Sequence, residues 1–170
     1  GMAVLKAGGD LENVAQAVAA ARALTPEDLA DSTLRGDQAA QAASKVAAIP
    51  EVRATLLEVQ RDFAARPPGA VLDGRDIGTV VCPDANIKLF VTASLEARAL
   101  RRLRELQERG VEAIHDHVLQ DMKERDTRDS QRSVAPLVAA RDAFVLDTSQ
   151  LDADAVFAAA LEMISGARAV

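Results

Sequence analysis

Apolar residues recur at helical spacing over most of the chain, and three short continuous runs stand apart from that spacing. Val14, Val18 and Ala21 fall on one face after Asp10, which predicts a helix capped by Asp10 and running to about Leu24. Residues 3–7 before it read as the tail of another helix, stopped by Gly8-Gly9. Thr25-Pro26-Glu27-Asp28 is a helix-start signal, and a small-residue helix follows over residues 37–48. Pro50 opens a helix over residues 51–65 with Val52, Leu56, Val59 and Phe63 on its inward face, broken by Pro67-Pro68-Gly69. The continuous apolar runs, residues 70–72, 87–91 and 144–146, predict buried strands. Ser94 caps a long helix to about Glu108 with the stripe Leu95, Ala99, Leu103 and Leu106, and Gly110 ends it. Helices over residues 115–131 and 152–164 complete the pattern, with residues 134–140 as a connector. The predicted class is α/β, a helix-rich single domain over residues 1–170 around a small parallel sheet of about three strands.

Composition narrows the function classes. At 170 residues with 49% hydrophobic and 27% charged content, the chain is long enough for one real core. A net charge of −6 argues against a general nucleic-acid or membrane-surface binder. Four Phe with no Trp or Tyr offer no base-stacking platform. Cys82 is the only cysteine, which excludes an intrachain disulfide, predicts a small buried hydrophobe and fits a reducing cytoplasm. No apolar run reaches the length of a membrane span. No metal site is predicted either, because His115 and His117 diverge on a helix and no Cys or third His joins them.

Two charged stretches carry the candidate chemistry. Asp73-Gly74-Arg75-Asp76 follows the first predicted strand, at the sheet edge where open α/β proteins bind ligands. Arg75 brings a rigid fork of donors for phosphate or carboxylate, Asp76 accepts from hydroxyl or amino groups, and Gly74 lets the backbone turn. The same four residues also read as a polar turn with an internal ion pair. In the second stretch Arg125, Arg128, Asp129 and Arg132 fall at i, i+3, i+4 and i+7, one helical stripe of arginines and an acid where a core helix would place leucines. It reads either as a solvated, salt-bridged face or as a mobile clamp for phosphate oxygens, since phosphoryl transfer asks mainly for positioning and charge neutralisation.

Taken together, Asp73-Gly-Arg-Asp-Ile-Gly-Thr-Val-Val, Pro83-Asp-Ala, Glu124-Arg-Asp-Thr-Arg-Asp and Val134-Ala-Pro-Leu resemble the bacterial cytidylate kinases, in the nucleoside monophosphate kinase group. Ala42-Ala-Ser-Lys-Val-Ala-Ala-Ile-Pro and Val145-Leu-Asp-Thr match as well, so the resemblance runs in order from about residue 35 to the end. It implies a P-loop-kinase-like sheet, an acceptor-nucleotide segment at about residues 25–65 and a lid at about residues 108–133. The implied reaction is transfer of a phosphoryl group from ATP, with Mg²⁺, to CMP or dCMP. Ser44 and Arg53 fall at positions that bind CMP, Arg53 at its phosphate; Asp76 matches base recognition and Arg75 nucleotide contact. Arg125 and Arg132 match lid arginines that close over phosphates, and Asp129 a lid acid linked to the pentose hydroxyls. Arg128, Arg98, Arg101 and Arg102 read either as phosphate contacts or as partners for Glu96, Glu105 and Glu108; Asp147-Thr148 resembles the loop near the ATP base.

One family feature is missing. The sequence holds no Gly-x-x-x-x-Gly-Lys and no Gly-Lys pair, so the backbone cradle and lysine that grip the donor phosphates have no counterpart. The resemblance implies that the chain starts inside the helix after the family's second strand. Two readings follow: Met2 is an internal start within a longer kinase, or a short form binds nucleotides or partners without catalysis. In the family the missing first strand lies between those matching residues 70–72 and 87–91, which implies direct pairing, a gap, or a homo-oligomer filling the edge.

Overall fold

The computed structural model describes residues 1–167. The chain divides into two compact units, one made of Gly1–Ile77 with Arg128–Leu137 and the other of Gly78–Thr127 with Val138 onward.

The first unit is helical. It holds α1 (Met2–Lys6), α2 (Val14–Arg22), α3 (Pro26–Leu29), a 3-10 turn (Ser32–Arg35), α4 (Asp37–Val46) and α5 (Pro50–Ala64). Val4, Ala17, Val46 and Val52 form its core, with Leu11, Val18, Ala21, Ile49 and Leu56 packed around them. The glycine stop after α1 is a Schellman ending: Gly8 takes a φ of 69°, and the Gly9 and Gly8 amides donate to the Val4 and Leu5 carbonyls. Asp10 does not cap α2. Its carboxylate accepts from the Glu12 amide in a turn, and Asn13 makes the cap by accepting from the Gln16 amide at 3.1 Å. Thr25 and Asp28 bond reciprocally at the start of α3, a capping box built with a shorter acid. On α5 only the first half of the predicted stripe turns inward: Val52 is buried and Leu56 joins the core, while Val59 and Phe63 are exposed.

Residues 70–72 form no strand, and Val71 is 98% exposed. Such a run becomes a strand only by joining a hydrogen-bonded ladder, and the first unit offers none among its described residues. The predicted sheet of about three strands is therefore two strands here, and the Asp73–Asp76 stretch leaves a loop instead of a strand end.

The second unit holds that sheet: β1 (Leu89–Thr92) and β2 (Phe144–Asp147) pair in parallel, Leu89 opposite Phe144 and Thr92 opposite Asp147. The fold is thus α/β, a short parallel sheet with surrounding helices. A π-helical turn (Ile77–Val81) buries Val81, and Lys88 bonds the Pro83 carbonyl and, at 2.6 Å, Asp142. Ser94 caps α6 (Leu95–Glu108) as its sequence predicts, and Gly110, at φ 70°, closes it with a second Schellman pair from Gly110 and Val111. Ala99 and Leu106 on α6 pack with Val118 on α7 (His115–Gln131), flanked by Leu103, Leu119 and Met122. The last helix, α8 (Ala153–Ala167), follows β2 and buries no residue, with Phe157 and Leu161 exposed. Cys82 is half-buried rather than fully enclosed, and free. No helix among the described residues is long and apolar enough to cross a membrane.

Candidate active site

Residues distant in sequence converge inside the first unit. α4 supplies Ser44, α5 supplies Arg53, the loop before the π-turn supplies Arg75 and Asp76, and the end of α7 supplies Arg128 and Asp129, with Arg132 just beyond it. Gly74 serves this loop through space and not through an unusual φ: a Cβ there would lie 2.9 Å from Cγ1 of Ile77.

Two buried carboxylates organise the cluster. Asp129, 4% exposed, accepts from Ser44 Oγ at 3.0 Å on one oxygen and from Arg75 Nε at 3.0 Å on the other. Ser44 Oγ in turn accepts from Arg128 Nη1 at 2.8 Å, and that nitrogen also reaches Gln41 Oε1 at 3.4 Å. Asp76, 7% exposed, pairs with Arg53 Nη2 on one oxygen, while Arg132 Nη2 stands 3.8 Å from the other. Among the described residues, four guanidinium groups thus gather about two buried carboxylates, Arg75 from the exposed side.

Arg132 carries the sharpest signal. Its side chain is 4% exposed, yet Nη2 has no hydrogen-bond partner among the described residues. Burial lowers its pKa, and Arg53 and Arg75 push the same way against Asp76 and Asp129. Its Nε is held by the carbonyl of Ala135, a residue forced to a φ of 52° that alanine seldom adopts. The Leu137 amide bonds the Asp129 carbonyl at 2.9 Å, folding this segment back on the helix end. An arrangement of this kind, cationic, buried and with an unused donor, suits an anion with several oxygens.

Six of the seven residues singled out by sequence fall in this cluster: Ser44, Arg53, Arg75, Asp76, Asp129 and Arg132. The seventh, Arg125, is half-buried and belongs to the second unit. The internal ion pair weighed for the Gly-Arg-Asp loop is replaced by pairs to other segments, Arg75 with Asp129 and Asp76 with Arg53. Arg128 joins the site through Ser44. The α6 arginines are engaged within the second unit: Arg98 forks onto Asp126 at 3.0 and 2.6 Å, Arg102 pairs with Glu105 at 2.6 Å, and Arg101 bonds Thr148 and the Leu151 carbonyl. Gln41 and Ala135 were not singled out. Gln41 sits one turn before Ser44 on α4, a spacing that pointed to it, whereas nothing in an Ala-Pro pair signals a left-handed alanine.

A family model described as cytidylate kinase matches residues 9–166. A cytidylate kinase of Paramagnetospirillum magneticum is 66% identical over 171 residues, covering 99% of this chain and 81% of the relative. That of Rhodospirillum rubrum is 58% identical over 97% of this chain and 79% of its own, and that of Granulibacter bethesdensis 57% identical over 96% and 78%.

Proposed function

The chain belongs to the cytidylate kinase family, whose reaction is ATP-dependent phosphoryl transfer, and we propose that its first unit is the acceptor-nucleotide site for CMP or dCMP. The observation that carries this reading is the buried Arg132 Nη2, 3.8 Å from Asp76 and without a hydrogen bond among the described residues, in a cluster rich in arginine. A nucleoside monophosphate would bring phosphate oxygens to Arg53 and Arg132 and donor groups to the carboxylates, in exchange for part of the present pairing. Asp76 takes the base, Ser44 a further contact to CMP, Asp129 the pentose hydroxyls, and Arg75 a further nucleotide contact. Residues at about 25–65 then form the acceptor segment and those at about 108–133 the lid, with Arg125 on it.

In the complete reaction an oxygen of the CMP phosphate attacks the γ-phosphorus of ATP in line. The new P–O bond forms as the bond to the β-phosphate oxygen breaks, giving CDP and ADP. Arg125 and Arg132 contribute by neutralising charge on the transferring oxygens. Mg²⁺ would arrive with the nucleotide and supply charge neutralisation there: both site carboxylates are engaged by arginines, and among the described residues no group of three or more His, Cys, Asp or Glu is placed to hold an ion. This sequence has no Gly-Lys loop to grip those phosphates, so we read the 170-residue chain as binding acceptor without turning it over; a non-catalytic nucleotide-binding or interaction role is the alternative that this absence favours. Open edges on the two-stranded sheet, with Val91 and Val145 more than half exposed, favour self-association, and the single free thiol fits a cytoplasmic setting.

Calorimetric titration with CMP, paired with an ADP-formation assay using ATP, Mg²⁺ and CMP, tests the reading. Saturable CMP binding that is lost in Arg132→Met, with no CMP-dependent ADP, is the expected result. Absence of CMP binding would remove the acceptor-site assignment, and CMP-dependent turnover would remove the inactivity of the chain. A strictly monomeric mass by light scattering would remove self-association.

A further inference from the structure

The segment that follows α7 is folded against its own backbone preference. Ala135 takes a φ of 52°, in the left-handed region where a Cβ crowds the following carbonyl. Pro136 comes next and disfavours helical backbone at the residue before it, left-handed or right-handed alike. Such a conformation persists only where its surroundings over-determine it. Here they do. The Leu137 amide donates to the Asp129 carbonyl at 2.9 Å, Pro136 fixes its own φ, and Ala135 is itself buried. The strap of residues 132–137 is thus closed on the end of α7 without help from the Arg132 side chain.

That strap turns one carbonyl onto Arg132: the Ala135 oxygen accepts from Nε. A guanidinium is planar, so a bond at Nε fixes the plane and with it the directions of both terminal nitrogens. Nη2 is left 3.8 Å from Asp76 and makes no hydrogen bond among the described residues. Opposite charges in a buried setting attract strongly, and a guanidinium free to turn would close that gap. We propose that Ala135 is a positioning residue: its left-handed carbonyl holds Arg132 back from Asp76 and keeps Nη2 open for an oxygen of the acceptor phosphate. The Ala135 side chain touches no ligand in this role and acts only through Arg132. The inference rests on the acceptor-site reading above.

The test compares wild type with Ala135→Gly, Ala135→Val, Arg132→Lys and the Ala135→Val/Arg132→Lys double variant, all as the 170-residue chain. Glycine takes a left-handed φ freely, whereas a β-branched residue resists it. Lysine keeps the charge but has no Nε–H to anchor. Two quantities are read. One is CMP affinity by calorimetry. The other is solvent exchange of the Arg132 Nε–H by NMR with isotopically labelled arginine, the signal being the one missing in Arg132→Lys.

Slow exchange is expected in wild type and Ala135→Gly, and fast exchange in Ala135→Val. CMP affinity falls about fivefold in Ala135→Val, the worth of one mis-aimed hydrogen bond, and by less than about twofold in Ala135→Gly. Added to Arg132→Lys, Ala135→Val costs no further affinity, because both changes act on one guanidinium. A merely structural role would lower affinity equally with or without Arg132, and that outcome overturns the inference while sparing the acceptor site. Fast exchange of the Arg132 Nε–H in the wild type overturns it too, a result that needs no variant of Ala135 to fold. No binding of CMP by the wild type overturns the acceptor-site reading and this inference with it.

Discussion

Ser44 and Asp129 lie 85 residues apart in the sequence and share a 3.0 Å hydrogen bond between buried side chains. The bond ties α4 to the end of α7 inside one compact unit, so it serves the fold and the site together. Asp129→Ala strips Ser44 of its acceptor and Arg75 of its counter-ion. Arg75 is 42% exposed and can turn to water, which limits the loss. We expect destabilisation of about 2 kcal/mol, the range of a charged hydrogen bond, read from urea unfolding. CMP affinity should fall in the same variant, and unchanged affinity would take Asp129 out of the site.

Asp76→Ala should do more damage, although Asp76 is no more buried. Its partners are the difference: the Arg53 side chain is 17% exposed and that of Arg132 only 4%, so both guanidinium groups have less access to solvent than Arg75 when the carboxylate goes. Removing one partner of a buried ion pair leaves an uncompensated charge, and a loss of about 3–5 kcal/mol is expected. Urea midpoints that rank Asp129→Ala as the more damaging change would contradict this account.

How far the sequence carried these conclusions depended on what each residue needed. Gly8, Gly110 and Ser94 were legible because helix ends are decided within a few residues, by a left-handed turn or a side-chain cap. Asp10 misled because Asn13, three residues on, offered a competing cap closer to the apolar run. Val59 and Phe63 continued a sound helical stripe, but periodicity says which residues share a face and not how far the neighbouring core extends along it. Residues 70–72 failed as a strand for the same reason, since a strand needs a ladder that no local pattern guarantees. The site residues were named through a resemblance spread over several short motifs. Their wiring was not legible: that Arg75 pairs with Asp129 and Arg53 with Asp76 depends on folding three separate segments together.

Arg132→Met separates function from stability. The guanidinium is buried, its pKa is lowered first by burial and then by Arg53, and its Nη2 is left without a hydrogen bond. Methionine has a similar reach and nothing to satisfy, while Asp76 keeps Arg53. Stability should hold or rise by about 1 kcal/mol, because removing an unsatisfied buried polar group removes its desolvation penalty. CMP affinity should drop at least about tenfold, the worth of a charge-assisted phosphate contact. A thermal midpoint that falls together with affinity would mean that Arg132 is a structural residue.

Acid should reveal a second, peripheral tie in the same unit. Lys6 at the end of α1 bonds Asp31, which also accepts from the Thr33 amide and hydroxyl. These contacts, Lys6 foremost, lower the Asp31 pKa from 3.8 to about 2. The sign follows from linkage. A carboxylate whose folded pKa is depressed contributes its stabilisation in full above its ordinary pKa and loses it as the pH falls through the folded value. Asp31→Asn should therefore unfold earlier than wild type at about pH 6, with the gap closing as the pH falls through about 2 and vanishing only below that, where both carry a neutral side chain. Thermal unfolding of the two proteins across that window checks it. A gap that persists unchanged at the acid end would show that Asp31 acts through the Thr33 turn and not through its charge.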